Sequence, residues 1–153
     1  MRALELKIPP VLVTALFAVA MWVVAGLTPP YPLPEIFVVP AALAFVAASA
    51  VFGLGGVAAF RSAGTTVNPL DPGRSSKLVV SGVYRYSRNP MYVALLLLLF
   101  AWGIRLSNPY AMLTAWAFIP WMNRFQVIPE ERAMLRLFGQ DFVRYAQRVR
   151  RWI

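Results

Sequence analysis

The sequence predicts an all-α fold: an integral membrane helical bundle of about four transmembrane helices with a C-terminal amphipathic cytoplasmic helix. Of its 153 residues, 59% are hydrophobic and only 14% are charged, which is more apolar than a soluble domain of this size usually is. The apolar residues gather in four blocks. Most basic residues lie before the first block, between the second and third blocks, and after the fourth block. We therefore expect a single membrane domain over residues 1–153.

The predicted spans cover residues 8–27, 36–60, 91–106 and 109–124. The first two reach the ~20 residues that cross a bilayer as a helix. The last two are short, because at ~1.5 Å per residue each rises only about 24 Å, less than the ~30 Å hydrocarbon core. They would need flanking residues, a locally thinned bilayer or longer neighbouring helices. A cleaved signal peptide is an alternative for the first block, but its apolar run continues past the small residues Ala18–Ala20.

Basic residues are distributed unevenly between the two predicted membrane faces. The 28–35 loop has no lysine or arginine, and Arg105 is the single one near the connection of spans three and four. The others flank span one, occupy the 61–89 loop or crowd the C-terminal tail. The positive-inside rule then predicts a multi-pass protein with both termini and the 61–89 loop in the cytoplasm, at the inner membrane if the source is bacterial. Membrane topology thus accounts for the positions of the basic residues, so the net charge of +9 does not indicate a nucleic-acid partner.

The cytoplasmic segments contain the polar residues from which a site can be built. The 61–89 loop is rich in Gly, Pro, Ser and Thr, and loops of this length are often functional. Its 65–69 segment is interpreted as a turn, with ligand contact left open. Asn89 and Asn108 each precede a proline that opens an apolar run, which suits an N-cap followed by Pro at the first helical position. Residues 130–149 have the periodicity of a basic amphipathic helix, which Gly139 weakens midway.

Two features indicate a site for a zwitterionic ligand at the cytoplasmic end. The amino end of the third predicted span lies beside Arg88 and offers N–H groups that bind carboxylates. Glu130 and Glu131 form the only adjacent acidic pair in the chain and could bind an ammonium group. Taken singly, each has a structural explanation, because arginines anchor membrane interfaces and glutamates stabilise first helical turns. The chain has no cysteine and no histidine, so neither a thiolate site nor a metal site is predicted.

These motifs, in this order, resemble those of the isoprenylcysteine carboxyl methyltransferase family, a group of small membrane methyltransferases related to phospholipid N-methyltransferases. The resemblance rests on RNPMY at 88–92, a hydrophobic hairpin, Glu130-Glu131 and the tail FGQDFVRYAQRV at 138–149. Phe142 departs from the family pattern, which has a tyrosine there, so this chain lacks the hydroxyl of that tyrosine. The resemblance covers about residues 61–153.

The resemblance implies that S-adenosylmethionine binds between the cytoplasmic ends of the last two spans and the C-terminal helix and leaves as S-adenosylhomocysteine, while a lipophilic methyl acceptor enters from the bilayer. Arg124 is our candidate for the catalytic role of orienting a substrate carboxylate. The cofactor-binding residues would be Arg88, Asn89, Pro90, Tyr92, Glu130 and Glu131.

The residue inventory favours carboxyl O-methylation of an isoprenylcysteine-like or other lipophilic acid. A carboxylate is already ionised at neutral pH, whereas an ammonium must first lose a proton to a positioned base, and the chain has no histidine. Phospholipid or other lipid amine N-methylation is the alternative within enzymes. A distantly similar sterol reductase is disfavoured because the additional spans are missing. A non-catalytic membrane scaffold with a basic lipid-binding tail is the alternative outside enzymes.

Overall fold

The computed structural model describes residues 5–64 and 77–153, and the regular elements within these ranges are helices. A 3₁₀ turn, Gly82–Arg85, precedes α3, and a π-helical turn, Asn123–Val127, joins α5 to α6. The α-helices are α1 (Pro10–Leu27), α2 (Glu35–Ala63), α3 (Pro90–Leu106), α4 (Pro109–Trp116), α5 (Phe118–Met122), α6 (Ile128–Phe138) and α7 (Gln140–Arg148). The prediction of an all-α fold is confirmed for these residues.

Hydrogen bonds between the connections show that α1, α2, α3 and the α4–α5 segment alternate in direction. At one end of the bundle, the Asn108 side chain donates to Thr28 Oγ1 at 2.9 Å. At the other end, the Leu6 N–H donates to the Phe125 carbonyl at 3.1 Å. Residues 5–9, 82–92 and 123–132 therefore share one end, which we call the basic end. Residues 27–35 and 104–110 form the opposite end.

The bundle core lies between α1, α3 and the α4–α5 segment. Its buried apolar residues are Val13, Met21, Tyr92, Leu96, Leu99, Ala111, Ala115, Phe118, Met122 and Val127. Helix α2 packs along α3, where Ser49 Oγ donates to the Ala94 carbonyl at 2.9 Å. A Cβ added to Gly55 would lie 2.7 Å from Val83, and one added to Gly56 would lie 3.0 Å from Met91. The glycines of α2 therefore serve close packing between chain segments.

Helices α1 and α2 have the surface of membrane helices. They are the two described helices long and apolar enough to cross a bilayer, and only 22% and 11% of their most apolar windows is buried. Leu27, Ile36 and Leu54 are 80%, 75% and 71% exposed. A core helix of a soluble protein would bury such residues, because exposing them to water is unfavourable. Lipid is the environment that fits these faces.

The later helices differ from their predicted bounds because prolines and a glycine interrupt them. The predicted fourth span, 109–124, is divided at Ala117, three residues before Pro120, which lacks the N–H that would bond the Trp116 carbonyl. The predicted single helix over 130–149 is wrong. Gly139, at φ 51° and ψ −123°, separates α6 from α7 in a conformation that side chains disfavour.

The predicted 61–89 loop is partly helical, because α2 continues to Ala63 and ends at a left-handed Gly64. Residues 65–76, which include the 65–69 segment interpreted as a turn, lie outside the described residues, as do residues 1–4.

Candidate functional site

The amino end of α3 is held by the C-terminal tail rather than by its own cap. Asn89 stands at the N-cap position before Pro90, but its side chain makes no capping bond. Instead its Nδ2 donates to the Arg151 carbonyl at 2.8 Å, and its N–H donates to Ser87 Oγ at 3.0 Å. By contrast, Asn108 caps α4 by accepting from two backbone N–H groups. The capping prediction is thus confirmed at Asn108 and wrong at Asn89, which leaves the first turn of α3 without a side-chain cap.

Glu131 lies between two guanidinium groups. Its Oε1 accepts from Arg88 Nη2 at 2.7 Å and from Arg151 Nε at 3.0 Å, and its Oε2 accepts from Arg151 Nη2 at 2.7 Å. Arg88 is 13% exposed and also donates to the Ala146 carbonyl at 2.9 Å. Such charge-assisted bonds are the strong ones in proteins. Glu131 therefore links the start of α3 to α6, and Arg88 extends the link to α7.

Glu130 has a different environment from its neighbour. Its Oε1 accepts a hydrogen bond from the Tyr92 hydroxyl on α3. Burial raises the pKa of Glu130 to about 8, the Tyr92 hydrogen bond opposes the rise, and the charge of Glu131 adds to it. Within residues 5–64 and 77–153, no lysine or arginine forms an ion pair with Glu130. A half-buried carboxylate of this kind suits a ligand that brings its own positive charge.

Aromatic residues close the side of the site toward α2 and α7. The Tyr145 hydroxyl donates to the Tyr84 carbonyl at 2.8 Å, and the rings of Tyr84 and Phe60 meet edge to face at 5.4 Å. Burial raises the pKa of both tyrosines, so they remain neutral phenols at physiological pH. Phe142 is buried and its ring lies 6.5 Å from that of Tyr145. This position is therefore filled by packing, without the hydroxyl of the family pattern.

Arg124 lies in the π-helical turn and points to the N-terminal segment. Its Nη1 donates to Glu5 Oε1 at 2.7 Å, its guanidinium lies 5.4 Å from the Phe125 ring centroid, and its side chain is 41% exposed. Within the part of the chain that the structure describes, its side chain makes no hydrogen bond to Glu130, Glu131 or the residues that bond to them. The structure thus brings together Arg88, Asn89, Tyr92, Glu130 and Glu131, and it leaves the catalytic role of Arg124 a prediction.

Sequence reasoning placed the C-terminal helix at this site but missed residues 150–152, which follow that helix. Besides the Arg151 side chain on Glu131, the Arg150 carbonyl accepts from the Arg88 N–H at 3.0 Å. Trp152 Nε1 donates to Asn123 Oδ1 at 3.0 Å. The sequence signal at this tail was a run of arginines, which the positive-inside rule already explains. Nothing in that run indicates which of them folds back onto a carboxylate.

Comparison with known proteins shows which family the sequence matches. The sequence profile of the phospholipid methyltransferase family matches residues 37–141, which include the Arg88–Tyr92 element and both glutamates. An uncharacterized protein of Haemophilus influenzae is 44% identical over 63 residues, covering 41% of this chain and the whole of that protein.

Protein-S-isoprenylcysteine O-methyltransferase B of Arabidopsis thaliana is 38% identical over 74 residues, covering 48% of this chain and 37% of the plant protein. The chain therefore matches only about a third of that relative's length. No solved structure matches the chain. The chain belongs to the phospholipid methyltransferase family and is a membrane methyltransferase.

Proposed function

We propose that the chain uses S-adenosylmethionine to methylate a lipophilic acceptor at the membrane–cytosol interface. The observation that carries this proposal is the contrast between the two adjacent glutamates. Glu131 is saturated by two guanidinium groups, whereas the half-buried Glu130 has a tyrosine hydroxyl as its partner and no cation within the described residues. Glu131 would therefore support the site rigidly, and the Glu130 carboxylate would bind a ligand ammonium.

The residues at the amino end of α3 fit the zwitterionic part of this cofactor. Glu130 would hold the methionyl ammonium, because a positive ligand group would stabilise its ionised form. The uncapped first turn of α3 after Asn89 and Pro90 would receive the methionyl carboxylate, as helix N-termini do for anions. Arg88 Nε, buried and without a partner among the described residues, is a further donor.

When bound, the cofactor supplies a methyl group on a sulfonium, which a nucleophile can attack in line. The residues of the chain would contribute alignment and exclusion of water rather than proton transfer. Glu131 would act on this site through Arg88 and is best regarded as a positioning residue. Tyr92 would orient the Glu130 carboxylate through its hydroxyl. Arg124 would meet an acceptor carboxylate only after leaving Glu5.

Carboxyl O-methylation of an isoprenylcysteine-like or other lipophilic acid remains the favoured reaction. The acceptor is ionised at neutral pH and needs no base. The enzymatic relative from Arabidopsis is named for a reaction of this kind, although the match spans a minor part of it.

Lipid amine N-methylation is the second candidate, and the matching family profile favours it. A carboxylate with a pKa of about 8 could also accept the proton that an ammonium acceptor must lose. The same carboxylate cannot at that moment hold the cofactor ammonium. Product analysis separates the two reactions, because a methyl ester is labile to base and an N-methyl group is stable.

The basic end of the bundle would face the cytoplasm, and the chain would cross the membrane four times. Arg105 is the one basic residue at the opposite end of the described bundle, where it pairs with Glu35 at 2.8 Å. The other described lysines and arginines lie outside the four apolar helical segments or at their basic-end termini. This asymmetry is the pattern that orients membrane proteins.

Calorimetry in detergent tests the cofactor site by measuring the protons that are released when S-adenosylmethionine binds. At pH 7, a carboxyl group with a pKa of about 8 is largely protonated, so an ammonium that binds its ionised form should release close to one proton. We expect titration of S-adenosylmethionine in buffers of different ionisation enthalpy to detect this release. Glu130→Gln should abolish the release and weaken binding at least tenfold, as expected when a charge-assisted bond worth about 1.5–3 kcal/mol is lost.

The matched control is Glu35→Gln, which removes an exposed ion pair at the opposite end and should leave cofactor binding unchanged. Binding of undiminished affinity to Glu130→Gln would remove the ammonium-holding role from this residue. No binding to the folded wild-type protein with lipid restored would favour the non-catalytic scaffold instead.

A further inference from the structure

Two arginines of one helical segment converge on a single carboxylate at the basic end. Arg124 Nη1 donates to Glu5 Oε1 at 2.7 Å, and Arg132 Nη2 donates to Glu5 Oε2 at 2.5 Å. The Glu5 side chain is 14% exposed, whereas the arginines are 41% and 44% exposed. The hydrogen bond from Arg124 contributes most to holding the pKa of Glu5 below its ordinary value. The pair of guanidiniums is thus a preformed anion site that the chain itself occupies.

The N-terminal segment is carried to this site by bonds to the π-helical turn. Pro129 lacks the N–H that would bond the Phe125 carbonyl in a regular helix, and the Leu6 N–H donates to that carbonyl at 3.1 Å. Gln126 Nε2 donates to the Ile8 carbonyl at 2.6 Å. Leu6 has a φ of 58°, which a leucine adopts at a cost. Glu5 is therefore held by a short segment under backbone strain, a condition that favours its displacement.

The surroundings of the two arginines match a membrane surface. Ile128 lies between them in sequence, four residues from each, and is 37% exposed. On the same side of α6 follow Leu135, 48% exposed, and Arg136, also exposed. Arginines alternating with exposed apolar side chains are typical of helices in the headgroup region, where guanidiniums bind phosphate and apolar groups enter the acyl boundary. Two arginines against one glutamate also leave a net positive charge at the site.

We propose that Arg124 and Arg132 form a binding site for the phosphate of an anionic phospholipid headgroup, and that Glu5 is an internal anion which the lipid displaces. Guanidinium groups bind phosphate through paired N–H donors, and two of them already hold an anion here at hydrogen-bond distance. The ligand is a lipid of the surrounding membrane, whichever acceptor is methylated. This site shares Arg124 with the proposed acceptor site, but lipid binding there does not require methyl transfer.

The test measures binding of dioctanoyl phosphatidylglycerol to the purified full chain in a neutral detergent, by calorimetry. Wild type should bind it more tightly than dioctanoyl phosphatidylcholine. Glu5→Gln should tighten binding about tenfold, as follows if the internal carboxylate occupies the site nine-tenths of the time. Arg132→Gln should weaken binding at least fivefold. Arg144→Gln is the matched control, because Arg144 is 67% exposed, pairs with Asp141 and lies on α7, and it should change nothing.

Three outcomes would overturn the proposal. Unchanged or weaker lipid binding by a Glu5→Gln protein that unfolds at the wild-type temperature would remove the competing role of Glu5. Should Glu5→Gln fold poorly, Glu5→Asp keeps the charge while shortening the reach to both arginines, and it must likewise bind the lipid more tightly. Equal losses in Arg132→Gln and Arg144→Gln would indicate general charge attraction. Competition by inorganic phosphate at the same concentration as the lipid would assign the site to a free anion.

Discussion

Glu130 and Glu131 should respond in opposite ways to replacement by glutamine, although they are neighbours in sequence. Glu131→Gln leaves Arg88, which is 13% exposed, without a carboxylate partner, and it also releases Arg151. Removing one member of a buried ion pair costs about 3–5 kcal/mol. Because Glu131 is 20% and Arg151 39% exposed, solvent screening reduces this, and we expect a loss of about 2–3 kcal/mol. For a chain of this length, that lowers the unfolding temperature by roughly 5–10 °C.

Glu130→Gln should stabilise the ligand-free protein at alkaline pH. Burial raises the pKa of this carboxyl from 4.5 to about 8. As the pH rises through this interval, the Glu130 carboxyl loses its proton in the unfolded chain first. The free energy of unfolding is therefore unaffected below pH 4.5, falls as the pH rises, and reaches its full loss above about pH 8. A tenfold change in proton affinity corresponds to about 1.4 kcal/mol, so the loss of folding free energy caused by ionised Glu130 is at most about 5 kcal/mol. Because the residue is half-buried, we expect a gain of about 1–3 kcal/mol in the glutamine variant.

Thermal unfolding in detergent, followed by tryptophan fluorescence at pH 5 and pH 8 without cofactor, measures both effects. Glu131→Gln should unfold below the wild type at both pH values. Glu130→Gln should unfold above it at pH 8, with a smaller difference at pH 5. Glu35→Gln, which removes an exposed pair at the opposite end, is the control and should unfold near the wild type. A Glu131→Gln protein as stable as the wild type, or a Glu130→Gln protein less stable at pH 8, would refute the assignment of rigid support and ligand carboxylate.

Four substitutions test the packing of the helices around the site, each by the same unfolding measurement. Gly55→Ala should destabilise by about 1–3 kcal/mol, because its Cβ would lie 2.7 Å from the stiff Val83 side chain. Gly26→Ala, with no atom within 4 Å of the new Cβ, should instead stabilise α1 by about 0.5–1 kcal/mol. Asn108→Ala removes a bonded cap and should cost about 0.5–2 kcal/mol. Gly139→Ala should cost about 1–3 kcal/mol because of its φ of 51°, and equal stability would show that the α6–α7 corner tolerates side chains.

The bounds of the helices could be predicted from the sequence where an apolar run begins or ends at residues typical of helix termini. The carboxyl end of α1, the amino end of α3 and the α3–α4 turn lie within a residue of the expected bounds. At α3 and α4 this follows from Pro90 and Pro109, because proline is favoured at the first position of a helix. The predicted helix over 130–149 failed at Gly139. Periodicity continued through this residue, and the sequence does not show that its backbone takes a conformation reserved for glycine.

The sequence predicted which residues gather at the candidate site, but it did not predict which of them form hydrogen bonds with each other. The element at 88–92 and the Glu130–Glu131 pair were named together, and the structure joins them through Arg88 with Glu131 and Tyr92 with Glu130. The distinct roles of the two glutamates could not be predicted. Neighbours on a helix point about 100° apart, so each meets a different set of distant side chains.

The sequence by itself determined that this chain is an apolar helical protein of the membrane, with most of its positive charge at one end and an arginine, a tyrosine and two glutamates as candidate site residues. Those properties depend on composition and local pattern, which each segment contains within itself. The tertiary structure alone decided that Arg151 bonds to Glu131, that Glu130 accepts a hydrogen bond from Tyr92, and that Glu5 lies between Arg124 and Arg132. These partners are up to 127 residues apart. Their pairing results from the packing of antiparallel helices and from the carbonyl that Pro129 leaves free, which no local pattern encodes.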